Sequence, residues 1–186
     1  GLTRVTWELS TADWNWVLGV DLWSVIWGVQ RFLPRMLAQA EGGHVVNTSS
    51  VAGLLSTPGM SAYNVAKHGV VTLSETLYGE LLAAQAKVGV SLLCPAWVST
   101  AIHESGRNRQ TRYGAAGAAT GLSAAYEQRM AQAVKSGRLT AADMAGAVFD
   151  AVVENRFYVI PHRRINQAIQ LRMEDILNLR NPTQLP

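Results

Sequence analysis

The sequence predicts an α/β fold, and within that class the second half of a doubly wound parallel sheet with helices on both faces. Three observations carry the prediction. Short runs rich in apolar and β-branched residues at 44–50, 90–94 and 157–160 alternate with stretches of helical periodicity. The runs are continuous in character rather than alternating in polarity, as strands buried on both faces are. The connections are also long enough to hold the crossover helices that parallel strands require.

Taken in order, Ser10-Thr-Ala-Asp13 has the form of a capping box and predicts a helix from about 11 to 40. Trp16, Val20, Trp23 and Trp27 recur at steps of four, three and four, one stripe of that helix. Leu18, Leu22, Val25, Ile26 and Val29 widen the stripe until the helix is apolar nearly all round, so burial on more than one side is expected. Pro34 is expected to kink it, and Glu41-Gly-Gly43 supplies the turn into the first strand. That strand ends in hydroxyl residues, and a loop with Gly53, Pro58 and Gly59 follows. Val70, Leu73, Leu77 and Leu81 mark a second helix over 61–86. Gly89 precedes the second strand, which Pro95 stops. Residues 101–138 are rich in Ala, Gly, Ser and Arg and are read as a partly helical lid, loosest at Gly114 to Gly121. Thr140-Ala-Ala-Asp143 caps a helix to about Glu154, the third strand follows, and 161–186 forms a C-terminal tail.

At 186 residues the chain has the length of one domain. Its charged fraction, 16%, lies well below the usual quarter, which suggests a surface partly covered by a partner subunit or ligand. The net charge is +3, and the excess sits in the tail, where Arg156, Arg163, Arg164, Arg172 and Arg180 outnumber Glu174 and Asp175. A neutral body argues against a nucleic-acid groove. The single cysteine, Cys94, excludes an internal disulfide framework and fits a reducing, cytoplasmic setting. His44, His68, His103 and His162 share no metal-ligand spacing, so no metal is expected. No apolar run reaches the length of a membrane span; the best candidate, Trp14 to Val29, is interrupted by Asp21. Three strands leave a sheet edge bare, and the chain opens on Gly1. Residues 1–186 are therefore read as a single incomplete domain.

The chemistry centres on Tyr63-Asn-Val-Ala-Lys67. Positions four apart lie on one helical face, so phenol and ammonium stand side by side. A fixed Lys cation favours the phenolate and is expected to lower the pKa of Tyr63, suiting it to proton exchange with an alcohol or carbonyl oxygen. Ser50, at the mouth of the preceding strand, can donate a hydrogen bond to the same oxygen. A Tyr and a Lys four apart arise readily by chance, so the pair alone is weak.

Three motifs in order are more specific. Val46-Asn-Thr-Ser-Ser50-Val-Ala-Gly53, then Tyr63-x-x-x-Lys67, then Cys94-Pro-Ala-Trp-Val-Ser-Thr100, together resemble the short-chain dehydrogenase/reductase family of the classical type, over nearly the whole chain. The resemblance implies a Rossmann-like three-layer α/β/α fold and an oxidoreductase that uses NAD or NADP on an alcohol or ketone. It implies Tyr63 as general acid/base, Lys67 as the residue that lowers its pKa and binds the nicotinamide ribose, and Ser50 as the residue orienting the substrate oxygen. Pro95, Ala96, Val98 and Thr100 would lie along the nicotinamide. Leu54 and Trp97 would shape the pocket, whose apolar bias suggests a small hydrophobic substrate. The helices over about 11–40 and 61–86 would form a homodimer or homotetramer, with Trp16, Trp23 and Trp27 as interface candidates.

Two departures qualify the resemblance. The family's catalytic Asn aligns with Asp21, which can hold a relay water but adds a negative charge opposing Lys67. The family's Gly-rich dinucleotide loop has no counterpart, because Gly114 to Gly121 follows no strand. This leaves an alternative expectation, a truncated non-catalytic remnant that keeps the association helices but cannot hold a dinucleotide.

Overall fold

A computed structural model describes residues 2–184 apart from the His103 side chain, so Gly1 and the His103 side chain lie outside the described residues. Three parallel strands form the sheet in the order β1 (Gly43–Thr48), β2 (Val88–Leu93), β3 (Tyr158–Val159). In register, Val45 stands opposite Val90 and Thr48 opposite Leu93. The third strand is two residues long where four were expected, because only Leu92 and Leu93 find partners on it.

Helices α1 (Thr11–Leu18), α2 (Ser24–Leu37) and α3 (Ser61–Ala83) supply one layer. The capping box forms: the Ser10 hydroxyl accepts from the Asp13 backbone N–H while the Asp13 carboxylate accepts from Ser10. Pro34 does not end the first long helix: it sits in the last turn of α2, which runs on to Leu37 although the ring removes the N–H that would bond the carbonyl four residues earlier. The irregularity lies earlier, in a π-helical segment over Gly19–Trp23 that joins α1 to α2. One extra residue in such a turn re-aims the side chains on it, and Asp21 is at its centre.

The core runs between α3 and the sheet. Val70, Val71, Leu92 and Cys94 form one buried cluster, and Leu77, Leu81, Val88 and Val90 continue it toward the N-terminal ends of the strands. On the opposite face α5 (Ala141–Val153) packs Met144 and Ala151 against Leu93 and Val159. Cys94 is fully buried, and burial pushes its thiol up to about 12, so it packs as a small hydrophobe. The expectation that the first helix is buried on several sides is not met: α1 buries Asp13, Trp16 and Val17, which share one face, and α2 has no fully buried residue. Trp16 is therefore a core residue rather than an interface candidate, at 6% exposure against 47% for Trp23 and 55% for Trp27. The difference follows from the π segment, after which the tryptophan stripe turns outward.

Residues 101–138 carry two 3-10 segments, Ala101–Asn108 and Thr111–Tyr113, and helix α4 (Gly121–Lys135). The tail carries α6 (Asn166–Leu177). Among the described residues, no helix is long and apolar enough to cross a membrane.

Candidate active site

Strand β1 delivers Ser49 and Ser50 just beyond its C-terminal end, and the first two turns of α3 deliver Tyr63 and Lys67. The two elements approach closely at Gly53. A Cβ there would lie 2.5 Å from the Ser49 hydroxyl and 2.6 Å from the Lys67 carbonyl, so only glycine lets the serine loop lie against the helix. The Ser49 hydroxyl donates to that same carbonyl at 2.9 Å, locking loop to helix.

The Lys67 ammonium lies 5.5 Å from the centre of the Tyr63 ring and 3.4 Å from the Asp21 carboxylate. It also points at the Thr48 carbonyl, 3.4 Å away. Burial pushes the Tyr63 phenol up to about 12; a hydrogen bond with Ser50 works against that, and the Asp21 carboxylate adds to it. The expected lowering by Lys67 is thus absent. The physical reason is chiefly burial of the phenol, to which the Asp21 carboxylate beside Lys67 adds.

The segment after β2 forms the other wall. The Pro95 carbonyl accepts from the Val51 N–H at 2.9 Å and from the Ser50 hydroxyl at 3.3 Å. Val98 pairs with Leu139 in a one-residue parallel bridge, and the Thr100 hydroxyl accepts from the Ile102 N–H at 3.4 Å. Together these residues border a cavity of about 1230 Å³. Its lining includes Asp21, Ser50, Tyr63, Lys67 and all of Pro95, Ala96, Trp97, Val98 and Thr100. Leu54 does not line it. Its side chain packs instead against the buried cluster of Val70, Val71, Leu92 and Cys94, because the turn after Ser50 rotates it toward the core. Among the described residues no group of three His, Cys, Asp or Glu could hold a metal.

Sequence reasoning missed how 101–138 is held. Arg109 reaches back to helix α1: its guanidinium donates to the Asp13 carboxylate at 2.7 Å and lies 5.1 Å from the centre of the Trp16 ring. It also donates to the carbonyls of Tyr113 and Gly114 at 2.8 and 2.7 Å. Arg4 donates to the carbonyls of Gly117 and Ala118, and the Ser123 hydroxyl donates to Glu8 at 2.6 Å. What reads as a loose Ala/Gly stretch is therefore tied at three points to residues 4–13. Its only signal in the sequence is a set of arginines in a segment with few acids of its own.

The fold agrees with comparisons to known proteins. The family model described as short chain dehydrogenase matches residues 1–111, and the chain belongs to that family. It is 31% identical over 173 residues to the CLA biosynthesis dehydrogenase/reductase of Lactiplantibacillus plantarum, covering 92% of this chain and 60% of that protein. It is 29% identical over 168 residues to the C alpha-dehydrogenase of Sphingobium sp. strain SYK-6, covering 89% of this chain and 53% of that protein. A crystal structure of a short chain dehydrogenase/reductase from Burkholderia phymatum in complex with NAD superposes with a TM-score of 0.97 at 46% identity, covering 100% of this chain and 66% of that one. The chain thus spans between about half and two thirds of the length of these relatives. The fold class expected from the sequence is the fold observed.

Proposed function

We propose that this protein is an NAD(P)-dependent oxidoreductase acting between an alcohol and a ketone, with Tyr63 as the general acid/base. The observation that supports it most is the convergence of Ser50, Tyr63 and Lys67 on one cavity beside residues 95–100. The residues present fit the nicotinamide half of such a cofactor. The cavity is large enough, and a buried ammonium stands beside a partly buried phenol at its edge. When bound, the cofactor supplies the ring carbon that gives or takes a hydride. Lys67 would hold the nicotinamide ribose, and Pro95, Ala96, Val98 and Thr100, which line the cavity, would hold the ring. Ser50 fixes the substrate oxygen, and Tyr63 exchanges a proton with it. A phenol held at about 12 keeps its proton at neutral pH, the form that donates to a carbonyl oxygen. Alcohol oxidation needs the phenolate, which the Asp21 charge opposes.

Asp21→Asn removes that charge, so the Tyr63 pKa falls. We expect kcat/KM for alcohol oxidation to be kept or raised, with the rising alkaline limb of its pH profile moved to lower pH. A large loss in kcat/KM would show that the carboxylate does something an amide cannot.

The substrate we propose is a small hydrophobic alcohol or ketone, since Met60, Trp97, Ile102, Met130, Val134 and Met144 line the cavity. Residues 101–138 act as its lid within one incomplete Rossmann-like domain, 1–186. The exposed face made by Trp23 at the end of the π segment and by Trp27 and Phe32 on α2 supports a homodimer or homotetramer. Trp27→Glu is expected to shift sedimentation toward a smaller species, and an unchanged sedimentation coefficient would remove α2 from the interface.

A further inference from the structure

Beyond the four side chains at the cavity, one residue holds the backbone of its wall. His162 follows β3 by three positions and has no place in the chemistry described above. Its Nδ1 accepts from the Ala96 N–H at 3.1 Å, and its Nε2 lies 3.2 Å from the Trp97 carbonyl oxygen. One protonation state serves both contacts: the neutral ring with its proton on Nε2, accepting at one nitrogen and donating at the other. The same carbonyl is hemmed in from the far side, since a Cβ on Gly137 would lie 2.6 Å from it.

We propose that His162 is a positioning residue for the nicotinamide wall. The proposal rests on the oxidoreductase reading above. The Pro95–Ala96 peptide group is held at its carbonyl by Val51 and Ser50 and at its N–H by His162, which also meets the Trp97 carbonyl. Backbone polar groups at 95, 96 and 97 are thereby anchored in succession, the first from the catalytic serine loop and the others from the residue beyond β3. β3 is itself tied to the start of this segment, because the Cys94 N–H donates to the Val159 carbonyl at 2.9 Å. Removing the imidazole takes both protein partners away and leaves the Ala96 N–H and the Trp97 carbonyl to water, which loosens the segment at the cavity wall. The nicotinamide end of the cofactor feels that movement, whereas the adenosine end does not.

The test compares binding of NADH and of ADP-ribose, which lacks the nicotinamide, to the full-length protein and its variants. NADPH and 2′-phospho-ADP-ribose replace them if the phosphorylated cofactor binds better. His162→Phe keeps the ring volume and removes both hydrogen bonds; it is expected to weaken NADH about tenfold and leave ADP-ribose within about twofold. His162→Asn places an acceptor near the Nδ1 position and is expected to recover part of the NADH loss. Equal weakening of both ligands, or unchanged NADH affinity in His162→Phe, would overturn the proposal. Wild-type protein that binds ADP-ribose and NADH normally, with the phenylalanine variant indistinguishable from it, refutes the positioning role and leaves the oxidoreductase reading standing. Wild-type protein that binds neither compound overturns both.

Discussion

Tyr63→Phe in the full-length protein is expected to lower kcat/KM by about 10²–10⁴-fold, the range supplied by a positioned acid/base. The loss should fall on kcat, with cofactor affinity largely intact, because the phenyl ring keeps the shape of the wall and only the hydroxyl is removed. That hydroxyl is the one proton carrier the site offers to a substrate oxygen. The Ser50 hydroxyl donates to the Pro95 carbonyl and accepts from the Ala52 N–H, besides its hydrogen bond with Tyr63, and the Lys67 ammonium lies against Asp21. Turnover within a few fold of wild type would remove Tyr63 from the chemistry.

The largest expected effect on stability comes from Arg109→Met. The Arg109–Asp13 pair is close to fully buried, its side chains 7% and 10% exposed. Removing one partner leaves the other charge buried, which costs about 3–5 kcal/mol. Burial by itself raises the Asp13 pKa, but the Ser10 side-chain and backbone hydrogen bonds and the Arg109 guanidinium outweigh it and hold the carboxyl below 3.8. A depressed native pKa means that the stabilisation is fully present above the unfolded value and is lost as pH falls through the native one. Urea titrations of wild type and Arg109→Met should therefore differ most near neutrality and converge under acid conditions. The double variant Asp13→Asn, Arg109→Met should lose less than Arg109→Met alone, since no lone charge remains. A loss below about 1 kcal/mol in Arg109→Met would mean that the lid is held by other contacts.

How much could be read in advance depended on distance along the chain. Ser50, Tyr63 and Lys67 lie within a single strand–loop–helix passage, so strand termination and helical spacing were enough to bring them to one place. The same holds for the capping boxes at Ser10 and Thr140, which are local hydrogen-bond cycles. The Arg109–Asp13 pair spans 96 residues, and no local pattern links them. Leu54 and Trp16 were misplaced for a related reason. Leu54 follows the 3-10 turn Val51–Gly53, and the π segment over Gly19–Trp23 breaks the helical phase between Trp16 and the later tryptophans, so neither residue stays on the face a regular element would give it. The Asp21 charge was foreseen as opposing Lys67, but the burial that does most to raise the Tyr63 pKa was not.

The central claim is that Tyr63, Lys67 and residues 95–100 form a nicotinamide site. Titration of the full-length protein with NADH and NADPH, followed through tryptophan fluorescence, tests it most directly. The account predicts saturable micromolar binding of at least one of the two, weakened by Lys67→Met. Absence of saturable binding to either would contradict it and leave a chain that keeps the family's fold as a non-catalytic remnant.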